Sequence, residues 1–349
     1  MSERAEKRAR VRALLEGDGD GIALRDPANL AWYLDGARVH VVGGVSDAIC
    51  EVTVTADGEE LRTTAIEAPR MAAEELGPDA PPLRAQPWWE PSGPDAGASD
   101  RPRRGERDVA AGLVAARSAL LPREVERLRA LCRETAAAAG AALRAAGSGE
   151  SEFALAGRAA RELLDRGIDP VVLLVAGEER LPRHRHPLPT PAPLGARAML
   201  VVCGRRHGLI CSVTRMRAWT PLRPAERETY DGLLAVEAAA LDATRPGERI
   251  GDVVSAIAAA YPANGFAADE WHQHHQGGPT GYAPRDYLAS PAADALVADP
   301  QAFAWNPSGG GFKVEDTVLA TATGVEVLGP APEWPSIEFG GRERPDVLT

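Results

Sequence analysis

Apolar positions fall into two rhythms along this chain, and their order predicts its elements. From about Ala225 to Ala243, Leu233, Leu234, Val236 and Leu241 gather on one side of a helix. Other helices are expected over 3–16, Pro69–Leu76, Pro122–Ala146 and Gly251–Ala260, the last ending near Pro262. Pro122 suits a first helical position, and Glu124 favours the positive end of the helix dipole. Ser151 caps a further helix, which Gly167 closes. Short apolar runs predict strands at Gly21–Leu24, Arg38–Val42, Ala48–Thr55 and Leu61–Ile66, with a hairpin signal at Thr55-Ala56-Asp57-Gly58. In the second half the runs are Val171–Val175, Met199–Cys203, Leu209–Thr214, Phe303–Asn306, Thr317–Thr321 and Val325–Leu328.

The first half reads as a small α/β domain. It closes in the segment from Pro81 to Arg107, rich in Pro, Gly, Asp and Arg around Trp88 and Trp89. That segment is expected to be a loop-rich connection pinned to a surface by its two tryptophans. In the second half, helices precede antiparallel strands, which argues for an α+β domain. The length of 349 residues fits two domains, placed at 1–115 and 116–349.

Composition then narrows the function classes. Hydrophobic content of 44% is ample for a core. A net charge of -11 weighs against sequence-independent binding of nucleic acid, which needs surplus cations. No apolar run of about 18 residues predicts a membrane span. Cys50, Cys132, Cys203 and Cys211 form no CxxC pair and read as reduced core thiols. With a first segment that is charged at once, these features lead to the expectation of a cytoplasmic protein.

The chemistry-bearing residues concentrate between Trp271 and Thr317. Three of the seven histidines and one of the two lysines lie there, among glycines that let backbone approach a ligand closely. If the segment is extended, His272 and His274 share a face and His275 points away. Such a cluster can bind zinc, line a pocket, or pack under Trp271. Lys313 and Glu315 lie two apart on an expected strand and so share a face, in a cleft or in solvent.

Four segments in this half resemble the creatinase/aminopeptidase P/methionine aminopeptidase superfamily, whose domain is the pita-bread fold. Arg185-His186-Pro187-Leu188-Pro189-Thr190 is similar to its His-x-x-Pro-Thr, and Met199–Arg215 to its Asp-bearing hairpin. Gly277 to Gly281 resembles Gly-His-x-x-Gly. Asn306-Pro307 and Lys313 to Thr317 resemble Glu-Pro and the closing Glu-Asp-Thr. Asn29 to Gly36 also resembles the start of the family's N-terminal domain. The implied architecture is a small N-terminal creatinase-like α/β domain followed by a pita-bread domain.

The departures set the expected chemistry. Family peptidases hold two metal ions with two Asp, one His and two Glu. The resemblance puts Val201 and Ser212 at the Asp positions, Gly278 at the His, Asn306 at the first Glu, and leaves only Glu315. One carboxylate does not hold two hard dications. No metal or other cofactor is therefore expected, and creatinase offers a metal-free precedent for C–N hydrolysis with a histidine and carboxylates.

On that resemblance, His186 is the acid/base, against the alternative of an inert loop histidine; its neighbour His184 is expected to be exposed. Glu315 orients water or polarises substrate. Lys313 or Arg285 binds an anionic group, although Arg285 equally suits an ordinary surface arginine. His274 or His275 lines the pocket, and Asn306 holds an amide or urea. Cys203 and Cys211 fit buried thiols better than nucleophiles. The leading expectation is a metal-independent, creatinase-like hydrolase of a small or short-peptide substrate, and the resemblance implies a homodimer. The rivals are a catalytically dead binding module and an Xaa-Pro-type peptidase with one metal rebuilt on His186, the His272–His275 cluster and Glu315. Polar residues crowding the former ligand positions favour an enzyme, and apolar filling favours the dead module.

Overall fold

The computed structural model describes residues 2–17, 20–41, 48–90, 104–329 and 331–349. The chain divides into two compact units, Met1–Arg123 with the hairpin tip His207–Leu209, and Glu124–Arg206 with Ile210–Thr349.

The first unit contains α1 (Glu3–Arg12), β1 (Gly21–Leu24), α2 (Pro27–Tyr33), β2 (Cys50–Thr55), β3 (Glu59–Thr64), α3 (Ala68–Arg70), β4 (Leu83–Gln86), β5 (Arg104–Gly105) and α4 (Ala110–Ser118). Its strands form one mixed sheet in the order β4-β3-β2-β1-β5. The expected hairpin closes as the Thr55 N–H donates to Gly58 O at 2.9 Å. Asp26 caps α2 through Ala28 and Asn29, and Pro27 starts it, a helix that the periodicity did not predict.

Three expectations fail in this unit. Arg38–Val41 is not a strand, and Val42 lies outside the described residues. The connection from Pro81 contributes β4, which pairs in parallel with β3. Trp88 and Trp89 pack edge to face on each other at 5.6 Å and stay 64% and 69% exposed, so they pin nothing.

In the second half the long helices follow the expected pattern. They are α5 (Pro122–Arg144), α6 (Glu152–Leu164), α7 (Pro224–Ala243) and α8 (Ile250–Ala263). The Ser151 hydroxyl accepts from the Ala154 N–H, and Gly167 takes φ 66°, as the capping signals required. Pro262 lies inside the last turn of α8 rather than beyond it. The strands β6 (Asp169–Gly177), β7 (Arg197–Arg206) and β8 (Leu209–Ala218) form one sheet in that order. β9 (Gly277–Thr280), β10 (Gln301–Trp305), β13 (Asp316–Thr321) and β14 (Gly324–Val327) form another, ordered β14-β13-β10-β9. Between them run the short pair β11 (Ser308–Gly309) and β12 (Phe312–Lys313). A final hairpin, β15 (Ser336–Phe339) with β16 (Arg342–Pro345), was not predicted.

The core of this half joins Met199 and Val201 of β7 and Met216 and Ala218 of β8 to α7, α8 and the Phe303–Trp305 strand. Strand side chains alternate faces. The face that presents Val201 and Met216 to this core therefore presents Cys203, Ser212 and Thr214 further along. That polar end of a core face is where the site forms.

Candidate active site

Three imidazoles meet in the second unit. His186 comes from the loop after β6, and His274 and His275 from the segment between α8 and β9. His186 Nε2 and His274 Nε2 are 2.9 Å apart. The rings of His274 and His275 stack at 4.4 Å, and His275 lies 5.2 Å from His186. The expectation of an extended segment is wrong here. Glu270–Gln273 is a 3-10 turn, which takes His272 off the face of His274, and His275 stacks on His274 instead of pointing away. His272 is exposed beside Trp271 and stays outside the cluster, and His184 is exposed as expected.

Residues that sequence reasoning passed over hold this arrangement. The Gln276 amide donates to Trp271 O and His274 O, while its oxygen accepts from the Tyr261 hydroxyl. Arg185 pairs with Glu270 and donates to Ser308, tying the His186 loop to the turn that precedes the other two histidines. Their only sequence signal was adjacency to the histidines.

Beside the imidazoles lies a buried charge group. The Glu315 Oε1 accepts from Arg285 Nη2 at 2.8 Å, and its Oε2 accepts from the Thr214 hydroxyl at 2.9 Å and faces Lys313 Nζ at 3.1 Å. Lys313 and Glu315 do share a face, but not one strand. Lys313 ends β12 and Glu315 precedes β13. Thr214 reaches Glu315 because β8 lies alongside it, the Thr214 N–H donating to Glu315 O. Arg285 also donates to the Ser212 hydroxyl, and its buried Nε has no partner among the described residues. Asn306 is buried with its side-chain oxygen unpartnered, and its N–H donates to Gln276 O.

The electrostatics follow from this packing. Burial pushes Glu315 up, but Lys313, Arg285 and the Thr214 hydroxyl outweigh it and hold its carboxyl at about 2. Burial, then Lys313, brings His274 down to about 2. Burial, then Arg285, brings His275 down to about 4. The same burial and Lys313 lower His186. At neutral pH three uncharged imidazoles therefore border two cations that share one carboxylate, a net charge of about +1. Cys203, its thiol raised to about 11 mainly by burial, touches Ser212, and all four cysteines are buried and unpaired, which suits the reading as inert thiols.

A model of metallopeptidase family M24 matches residues 126–322, more than half of the chain. The chain belongs to that family. Over 194 residues it is 26% identical to the Bacillus subtilis (strain 168) protein named "Putative dipeptidase YkvY", a match that spans 53% of this chain and only 53% of that relative. The prolidase of Pyrococcus horikoshii OT3 superposes with a TM-score of 0.76 at 16% identity, covering 95% of this chain and 99% of that one. The X-Pro aminopeptidase of Thermotoga maritima MSB8 gives 0.73 at 14%, covering 93% and 98%. The pita-bread, α+β architecture expected from the motifs is thus the architecture found.

M24 membership implies a dinuclear metal centre, and the residues here do not fit one. Val201 is packed into the apolar core. Gly278 has φ 152°, and a Cβ on it would lie 2.7 Å from Tyr287 O, so no histidine fits there. Ser212 is engaged by Arg285 and Cys203. Both Glu315 oxygens are already occupied by Arg285, Thr214 and Lys313. Two hard dications need several anionic oxygens, and one pre-empted carboxylate does not supply them. The former ligand positions are filled partly by apolar packing and partly by polar contacts.

Proposed function

We propose that the chain is a metal-independent hydrolase of a C–N bond in a small amino-acid-like or short-peptide substrate that carries a carboxylate. One observation carries the reading: the His186–His274 contact lies beside two cations held on one buried carboxylate. The peptide class draws support from the relatives named as dipeptidase and prolidase.

His186 is the proton carrier. It lies at the exposed edge of the cluster, and its depressed pKa keeps it neutral, hence basic, at pH 7. It takes a proton from water as the water oxygen attacks the carbonyl carbon. It then gives that proton to the leaving nitrogen as the C–N bond breaks, so products are a carboxylate and an amine. Arg285 and Lys313 bind the substrate carboxylate through donors that Glu315 leaves free, and Asn306 receives the amide. Glu315 positions the two cations rather than activating water, because both of its oxygens are occupied.

The test is turnover of chelator-dialysed protein on Xaa-Pro dipeptides, amides, ureas and guanidino acids. Turnover should survive metal depletion and fall about 10²–10⁴-fold in His186→Ala. Its kcat/KM should rise with pH through a value below the ordinary histidine range and then level off. Turnover that depends on added Mn²⁺ or Co²⁺ contradicts the reading. A panel with no turnover at all replaces it with the binding module.

A further inference from the structure

The histidine cluster has a property that acid–base chemistry does not require. A proton carrier needs one imidazole and at most one partner. Here one ligand atom from each of His186, His274 and His275 lies within 4.8 Å of the others. Around a four-coordinate zinc ion, nitrogens at 2.0–2.1 Å are separated by roughly 3.3 Å. The 2.9 Å His186–His274 edge opens by a few tenths of an ångström to reach that triangle, and the edges to His275, at most 4.8 Å, close by about 1.5 Å or less through ring rotation.

We propose that His186, His274 and His275 form a site for a single borderline transition-metal dication, Zn²⁺ being the type, bound by three imidazole nitrogens with a fourth position open. This is a different site, with a different donor set, from the carboxylate-rich dinuclear centre of the M24 family. Three imidazoles without a carboxylate suit Zn²⁺, Co²⁺, Ni²⁺ or Cu²⁺ and disfavour Mg²⁺, Ca²⁺ and Mn²⁺, which take oxygen ligands. The rings are held by their neighbours. Gln276 holds the His274 backbone, and Arg185–Glu270 holds the loop of His186. The buried Nδ1 atoms of His274 and His275 have no hydrogen-bond partner among the described residues, so the cluster keeps nitrogens to spare for a ligand.

The neighbouring charges oppose a cation and shape what accompanies it. Lys313 and Arg285 carry two positive charges against the one of Glu315. A dication here is therefore best satisfied with an anion, hydroxide or carboxylate, in its fourth position. It also follows that removing Lys313 should tighten the ion while removing a histidine loosens it, opposite signs that a nonspecific surface site does not produce. If the hydrolase proposed above is right, a bound ion takes the lone pair that His186 needs, and Zn²⁺ inhibits. That consequence rests on the hydrolase reading, whereas binding itself does not.

The experiment uses full-length protein without a histidine tag, stripped with chelator. Zn²⁺ is titrated calorimetrically and Co²⁺ by its visible absorption, with neither readout depending on turnover. The expected result is one equivalent per chain and an intense four-coordinate Co²⁺ band. His186→Ala, His274→Ala and His275→Ala should each weaken Zn²⁺ by at least about 10–100-fold, the loss typical of even an outer partner. Lys313→Met should tighten it. His186 is exposed, so its replacement tests the site even if the buried-ring variants fold poorly, which a thermal melt reports. The proposal is overturned by no saturable binding, by more than one equivalent, by Mn²⁺ binding as tightly as Zn²⁺, or by affinity indifferent to His186→Ala.

Discussion

Glu315 is a buried carboxylate whose two oxygens are both engaged by the chain's own side chains. The motif resemblance places it at a family ligand position, and its oxygens face an arginine, a lysine and a threonine hydroxyl. Glu315→Gln keeps the shape and removes the charge that balances Lys313 and Arg285. We expect the variant to lose most of its turnover, and to melt lower because two buried cations then share no anion. Lys313→Ala should mainly raise KM, since a contact to a substrate carboxylate is similar in ground and transition states. Melting temperature measured beside kcat and KM decides the matter. Equal stability losses with unchanged kcat and KM per folded molecule would make the pair structural only.

At the scale of elements, the segment from the 3-10 turn to β9 carries the site. It stacks two neutral histidines, His274 buried and His275 half-buried, on each other. An unfolded histidine titrates near 6.5. In the folded chain His275 is brought down to about 4 and His274 to about 2. Below pH 6.5 the unfolded chain therefore binds protons that the folded chain refuses. The stability that neutral rings confer is complete above pH 6.5 and is lost as pH falls toward the folded values. Between about pH 6.5 and 5 ordinary carboxylates stay ionised, and Glu106 and Glu237, which burial raises, are common to wild type and variant, so a difference in slope isolates the histidine. Thermal melts across it should fall more steeply for the wild type than for His275→Gln. Identical slopes would show that His275 is not held neutral. The same segment defeated the strand-face reading, because alternation applies only while the chain is extended and a tight turn resets it.

Across the second unit, a buried ion network joins elements far apart in sequence. Arg344 of β16 pairs with Glu237 of α7 and with Asp316 of β13, and Arg215 of β8 also pairs with Asp316. Asp316 lies next to Glu315, so this network anchors the start of β13 directly beside the site. Arg344→Met leaves Glu237 buried without its partner and should cost about 3–5 kcal/mol in urea unfolding. Adding Glu237→Leu should recover part of that loss. No recovery would mean that the loss comes from packing or from the Asp316 pair rather than from the stranded Glu237. No helix among the described residues is long and apolar enough to cross a membrane.

Local chemistry determined much of this protein from sequence alone. The long helices, their Ser151 and Gly167 ends and the 55–58 hairpin follow from spacing and capping, which depend on near neighbours. The motif order announced the pita-bread fold, because its pieces recur at plausible spacing. Short elements such as α2, β4 and the β15–β16 hairpin were not legible, since their stability comes from what they pack against rather than from their own few residues. The members of the candidate site could be named from sequence, and the fold brings His186, His274 and His275 together and Arg285, Lys313 and Glu315 together beside them, with Asn306 buried on the adjoining backbone. Its wiring was not legible. Stacking of His275 on His274, the Gln276 and Arg185–Glu270 supports, the Thr214 contact and the lack of room at Gly278 join residues up to 101 positions apart. Only the tertiary structure decides such contacts, because they depend on which strand lies beside which.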